Sequence, residues 1–250
     1  MKLSTALHRQ AKSYHREFTS SNGARFRIGP RRDNNPDLQI IPLPGAPINP
    51  KAINEILATI ATKNNKSILT SALYPSQQKP FLAVGFQPIA TLKILGLQLE
   101  SLKEPKCKSK RMKKSELTQI LRIDSETFHQ FWQLDSLAFQ EICDATPRSH
   151  CRVIRFHTES TRKVIGYAVS GRTDKQGFLQ RLAVDPEYQR SGFGQSLVAD
   201  SLNWLLKGGA TSVLVNTQPE NSPAISFYES MGFTKNPSDL AVLGFRLKSL

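Results

Sequence analysis

The stretch Arg181 to Leu206, RLAVDPEYQRSGFGQSLVADSLNWLL, constrains the fold more than any other. Its first residues alternate, Leu182 and Val184 against Arg181 and Ala183, and Asp185-Pro186 ends the alternation because proline has no N–H to give a ladder. Past a turn holding Gly192 and Gly194, the residues Leu197, Val198, Leu202, Leu205 and Leu206 recur at helical spacing. A strand therefore feeds through two glycines into a helix with one apolar stripe. A helix start offers unbonded N–H groups and partial positive charge, and glycine lets a large anion approach closely, so the turn suits a phosphate. Arg190 adds a cation beside it, and Gln189 and Gln195 add neutral donors. The dinucleotide fingerprint would need a third small residue where Leu197 stands, and the Lys-Ser/Thr pair of a P-loop is absent.

What remains, Gln189-Arg190-Ser191-Gly192-Phe193-Gly194, resembles the Gln/Arg-x-x-Gly-x-Gly/Ala signature of the Gcn5-related N-acetyltransferases (GNAT). About thirty residues on, Asn221 to Phe233 (NSPAISFYESMGF) resembles the second signature of that family, Asn-x-x-Ala-x-x-Phe/Leu-Tyr-x-x-x-Gly-Phe, with a strand expected between them at Ser212 to Thr217. The resemblance covers residues 116–250 strongly and 38–100 weakly. It implies an α/β fold of the α+β mixed-sheet kind, a GNAT fold in the C-terminal part and an incomplete GNAT-like N-terminal part. It also implies acetyl-CoA as co-substrate and no metal. The diphosphate would rest on backbone N–H groups of Gln189, Arg190, Ser191, Gly192, Phe193, Gly194 and Gln195, and the pantetheine arm would pair along Leu182, Ala183 and Val184. The Val184 N–H would polarise the acetyl carbonyl, Asn216 or Asn221 would hydrogen-bond the pantetheine, and Tyr228 would protonate the departing thiolate. Asn221 is equally a helix cap.

Many members of that family carry a glutamate on the strand before the glycine turn, where this chain has Gln180, which cannot act as a base. A water relay, a carboxylate from the first helix of this part, or an acceptor of low pKa such as a peptide N-terminus, about 7.7 to 8.0, would remove the difficulty. Asp135, Glu141 and Asp144 are the nearby carboxylates and otherwise ordinary surface residues; His150 and His157 sit in no motif and read as packed or surface histidines.

The two parts look like distant copies. Leu92 to Leu99 (LKILGLQL) repeats the apolar and glycine pattern of Leu240 to Leu247 (LAVLGFRL), and Phe81 to Phe86 parallels Tyr228 to Phe233. Upstream, Ile68 to Leu73 would match the Val213 to Thr217 strand, a helix at Ala52 to Thr62 the helix after Gly194, and Leu38 to Leu43 the Leu179 to Val184 strand. The first copy has Pro44-Gly45-Ala46-Pro47 where the glycine turn would be, which removes N–H donors, and Phe81 where Tyr228 stands. The division expected is a degenerate GNAT-like domain at 1–102, a basic linker at 103–114 and a catalytic domain at 115–250, in a tandem layout similar to that of the mycothiol synthases.

Within the second part, the apolar residues of Glu116 to Ile123 read as a strand. Ser125 then serves as N-cap of a helix bearing Phe128, Phe131, Trp132, Leu134 and Leu137, an aromatic stripe that suits a core and, by the resemblance, a lid over the acceptor. Strands follow at Cys151 to His157, Val164 to Gly171 and Phe178 to Val184, the first two joined by a polar turn from Thr158 to Lys163.

The net charge of +14 is uneven: residues 1–37 carry eight Lys/Arg against three Asp/Glu, residues 103–114 seven against one, and residues 115–250 balance. Two readings stay open, solvated arms or weak nucleic-acid or ribosome contact. No run approaches 18 apolar residues and Met1 to Gln10 has no signal-type apolar core, so a cytoplasmic protein without membrane association is expected. Cys107, Cys143 and Cys151 lack CxxC spacing and read as reduced thiols. The function expected is transfer of an acetyl group to a primary amine, on a small molecule or a protein N-terminus. The alternative is a non-catalytic acetyl-CoA-binding regulator or an RNA- or ribosome-associated adaptor.

Overall fold

The computed structural model describes residues 15–32, 37–60, 67–101, 104–157 and 162–246. Met1 to Gln10, Lys103, turn residues 158–161 and Leu247, all used in the sequence reading, lie outside the described residues. In chain order the elements are β1 (Arg16–Thr19), β2 (Arg25–Pro30), β3 (Leu38–Leu43), α1 (Pro50–Ala58), β4 (Ser67–Thr70), α2 (Pro75–Ala83), β5 (Gln87–Gln98) and β6 (Lys110–Arg111). Then come α3 (Leu117–Thr127), α4 (Ser136–Asp144), β7 (Arg148–His157), β8 (Arg162–Thr173), β9 (Gln176–Val184), α5 (Phe193–Lys207), β10 (Ser212–Thr217), α6 (Ser222–Ser230) and β11 (Thr234–Arg246). This is the mixed α/β sheet expected. Among the described residues no helix is long and apolar enough to cross a membrane.

The chain packs as two compact units, one of residues up to Ile94 with 218–220 and 236 onward, the other of Leu95–Thr217 with Asn221–Lys235. In the first, β1, β2 and β3 form an antiparallel meander, β4 pairs parallel with β3, and the end of β11 closes on β4 in the antiparallel sense, Gly244 opposite Leu69. Asn49 starts α1 by accepting the Ala52 N–H at 2.8 Å, with Pro50 at the first helical position where no N–H is needed. That helix buries Ile53 and Ile56 in a core with Phe26, Ile40, Phe81 and Leu243.

In the second unit β10 pairs parallel with β9, and β9, β8, β7 and β6 follow antiparallel. The end of β5 joins this unit, the Leu99 N–H donating to the Thr211 carbonyl at 2.8 Å. β8 is buried without interruption from Val164 to Gly171 because both faces are covered. Leu197, Val198 and Leu202 of α5 pack on one face, and Ile120, Ile123 and Phe139 of α3 and α4 on the other.

The packing units do not coincide with the linear spans read from the sequence: Leu95 and Leu99 are core residues of the second unit, Ala241 and Leu243 of the first. Three local expectations are corrected. Glu116 to Ile123 is not a strand but a 3-10 turn, Lys114–Glu116, leading into α3. Its apolar residues, Leu117, Ile120, Leu121 and Ile123, recur at three and four, which suits a helix and defeats alternation. Ser125 lies inside α3 and bonds back to the Arg122 carbonyl at 2.8 Å, so it caps nothing. The expected aromatic helix is broken: Phe128 is extended, Gln130–Trp132 is one 3-10 turn, and α4 starts anew at Asp135, whose carboxylate accepts the Ala138 N–H at 2.8 Å. The described part of the basic run is tied down at two points while most of its side chains stay exposed: Ser109 is buried and receives Arg152, and Lys110 and Arg111 pair with β7.

Candidate active site

The glycine turn is held in shape by the residues before it. Asp185, 1 % exposed, caps the turn Pro186–Tyr188 and meets Arg122 at 2.7 Å and Lys163 at 3.1 Å. Burial alone would raise its pKa; the hydrogen bonds from Arg122 and Lys163 outweigh this and hold the carboxyl below its ordinary value. The Gln189 amide, expected to face phosphate, instead donates to the Val184 carbonyl at 3.0 Å and closes the turn on itself.

Arg190 and Gly192 both have left-handed backbones, φ 60° and 81°, with Ser191 between them. For arginine that conformation costs roughly 1–2 kcal/mol, and such strain gathers where successive N–H groups are turned to one side to cup an anion. Gly192 caps α5, whose first turn has no acidic residue to offset the positive end of its dipole. Gly194 lies where an added Cβ would meet Phe227 at 3.5 Å, and Arg190 and Gln195 are exposed.

A second cation stands at this turn, one that the sequence motifs do not mark. The Lys106 side chain comes 3.6 Å from where a Cβ on Gly192 would be, and the neighbouring Cys107 N–H donates to Ser196 Oγ at 3.2 Å. Only the docking of residues 104–109 reveals it; in the sequence Lys106 is one lysine in a run.

Above the turn, β9 and β10 part. Their parallel register runs from Ser212 opposite Gln176 to Val215 opposite Leu179 and goes no further, while β9 stays paired with β8 to Val184. The Asp185 N–H donates to Ile165 on the β8 side at 2.9 Å. Successive N–H groups of a strand point to opposite edges, so those of Val184 and Leu182 face the parted edge. Leu182 and Val184 pack with the α5 core, and Ala183 is buried with Tyr167 on the other face. Asn216 is exposed just past the last paired position, and Asn221 caps α6 by accepting the Ala224 N–H at 3.2 Å.

Tyr228 is 7 % exposed and packs edge-on to Phe227 and Phe233, at ring distances of 5.3 and 5.6 Å. Burial pushes its phenol up, with Arg181 pulling weakly the other way, so it stays protonated at neutral pH. Gln180 sits at the irregularity where β9 slips against β8, and its amide oxygen is buried without a hydrogen bond, beside Gly171. The carboxylate of Asp135 is spent on its helix cap, Asp144 accepts from Gln140 at 2.9 Å, and His150 pairs with Asp200 at 3.0 Å while stacking on Trp204.

A further buried charge of this unit is Asp124, 0 % exposed. It accepts the Tyr167 hydroxyl, the Leu134 N–H at 2.7 Å and two guanidinium N–H groups of Arg181 at 2.7 and 2.9 Å. Arg181 also donates to the Trp132 carbonyl at 2.7 Å and lies 3.4 Å over the Phe128 ring. One ion pair thus pins the aromatic segment 128–134 to β9. An acidic residue on the buried stripe of a helix is the signal in the sequence, and it is hidden as long as that helix is read as a strand.

Residues 117–233 match the model of the acetyltransferase (GNAT) family. That match covers a little under half of the chain, and the fold is the GNAT fold. The [ribosomal protein bS18]-alanine N-acetyltransferase of Escherichia coli K12 is 31 % identical over 84 residues, 34 % of this chain and 57 % of that protein. A mycothiol acetyltransferase from Kocuria rhizophila is 34 % identical over 84 residues, 34 % of this chain and 26 % of that one. A Gcn5-related N-acetyltransferase from Kribbella flavida superposes with a TM-score of 0.63 at 14 % identity, covering 99 % of this chain and 95 % of that one. The chain spans little more than half the length of the first of these curated relatives.

Proposed function

We propose that the protein is an acetyl-CoA-dependent N-acetyltransferase that moves an acetyl group to a primary amine by direct attack on the thioester. The observation that carries this is the parting of β9 from β10 beyond Leu179 and Val215, beside a turn with left-handed Arg190 and Gly192 at the head of α5. An extended arm ending in a diphosphate fits that pairing of features. Leu182 and Val184 present N–H groups to the arm, and the turn from Arg190 to Gln195 presents its N–H groups and the Arg190 charge to the diphosphate.

In this reading the Val184 N–H polarises the acetyl carbonyl as the amine attacks, and the negative charge passes to sulfur as the C–S bond breaks. Tyr228 gives its proton to that sulfur. A phenol is an ordinary acid of pKa about 10 against a thiol of about 8.5, and the dry surroundings penalise thiolate and phenolate alike, so the proton passes only as the C–S bond breaks and Tyr228 is reprotonated through water by the proton that the amine sheds. Asn221 serves first as a cap, leaving Asn216 as the side-chain partner for the arm.

Gln180 offers no base, so the acceptor has to arrive neutral or lose its proton to water. A protein N-terminus, with a pKa of about 7.7 to 8.0, meets this better than a lysine-like amine of about 10.4. The match to a ribosomal-protein alanine acetyltransferase supports that acceptor class, and the match to a mycothiol acetyltransferase keeps a small amine in view. One observation favours the non-catalytic reading, the same Gln180.

The N-terminal part, residues 1–102, reads as a degenerate copy without a donor site. Its support is the repeated turn after a helix, Gly85 at φ 98° after α2 and Gly232 at φ 92° after α6, and the absence of a hydroxyl on Phe81.

Thermal unfolding with and without acetyl-CoA tests the donor site. Ligand at about 100 times its dissociation constant should add about 2.7 kcal/mol, a rise of a few degrees. Gly192→Glu, which sets a carboxylate and a Cβ on a left-handed backbone, should abolish the rise. A folded wild-type sample with no rise would overturn the proposal.

A further inference from the structure

Cys143 lies near the end of α4 and Cys151 lies in β7, and the two elements bring their sulfurs within 3.3 Å. We propose that Cys143 and Cys151 form a reversible dithiol site, oxidised by a peroxide to a disulfide that ties the end of α4 to β7. Nothing in the donor site takes part, so the inference stands apart from the proposed activity.

Geometry carries it. A disulfide needs its sulfurs about 2.05 Å apart, so these two have a little over 1 Å to close. Both side chains are half-buried, which leaves a route for a molecule as small as hydrogen peroxide and shields the product. They share the apolar cluster on the α3 and α4 face of the sheet, whereas Cys107 packs with the α5 core on the other face.

The charges around the pair divide the labour. The bond between the two sulfurs lowers Cys151, with help from Arg111 and against burial and Asp144. Cys143 is pushed up by the same bond, by burial and by Asp144. Arg111 favours the anion of Cys151, while Asp144 opposes that of both sulfurs, so Cys151 is assigned the attack and Cys143 the resolving step.

The Cys151 thiolate attacks one oxygen of the peroxide, forming an S–O bond as the O–O bond breaks and hydroxide leaves; the proton shed by Cys151 converts that hydroxide to water. Cys143 then attacks the Cys151 sulfur, the S–S bond forms, and the S–O bond breaks, the hydroxyl leaving as water with the Cys143 proton. Two thiols give up two electrons and one peroxide becomes two waters.

The intact protein would be treated with a few equivalents of hydrogen peroxide, quenched, denatured and alkylated with N-ethylmaleimide. The expected mass shows one adduct instead of three, on Cys107, with a peptide linking Cys143 to Cys151, and dithiothreitol restores all three. In Cys143→Ser the Cys151 sulfenic acid should persist and be trapped by dimedone, and in Cys151→Ser no link should form. Three adducts after peroxide, a link through Cys107, or a link between two molecules would each overturn the proposal.

Discussion

Tyr228 and Gly192 are legible in the sequence because each is fixed by its neighbours in the chain: a glycine that must be left-handed at a helix start, and a tyrosine one turn before Gly232 and Phe233. Replacing the Tyr228 hydroxyl by Phe leaves its buried packing against Phe227 and Phe233 in place. The expected outcome is a kcat lower by roughly 10²-fold or more with acetyl-CoA affinity unchanged within about two-fold; an unchanged kcat would take Tyr228 out of the chemistry. Lys106 is not legible, since only tertiary packing brings it to Gly192. Lys106→Ala should weaken acetyl-CoA binding roughly two- to five-fold at low salt and less as salt screens the charge, measured by titration calorimetry. Gln180 is recognisable as the wrong residue for a base, but nothing in the chain announces that its amide oxygen is buried without a partner.

At the scale of elements, strands with continuous or alternating apolar residues are readable, and β3, β9 and β10 stand where they are expected. The segment 116–137 is where the sequence misleads. The apolar residues Leu117, Ile120, Leu121 and Ile123 already follow the helical period, and Asp124 beside them makes sense only as a buried partner for Arg181 from a distant strand. Caps decide the rest: Asp135 restarts a helix where an aromatic stripe invites one long one. The ion pair between Asp124 and Arg181 is the fastening of segment 128–134, and removing one partner leaves the other charged and buried. Asp124→Asn should cost about 3–5 kcal/mol in chemical denaturation. A double replacement by apolar residues, Asp124→Leu with Arg181→Met, should recover much of that loss; equal stability of the single variant and the wild type would mean the pair is not a fastening.

On the scale of the whole molecule, composition sets the class and misses the allocation of strands. The LKILGLQL and LAVLGFRL repeats are visible as sequence, yet nothing local says that Leu95 and Leu99 serve the second unit's core while Ala241 and Leu243 serve the first. A fragment spanning residues 115–250 alone therefore loses core side chains and carries β11 without the partner strand β4. It should lack a cooperative thermal transition by circular dichroism, where the full chain shows one; a sharp transition in the fragment would show that the second part is self-sufficient. The same allocation governs how the protein is born. Between β4 leaving the ribosome and Gly244 arriving to pair with Leu69, about 175 further residues must be polymerised, roughly 9–35 s at about 5–20 residues per second. For that interval the edge of β4 is open, and the first unit waits for synthesis to reach its missing strand, a window in which a holding chaperone has something to hold.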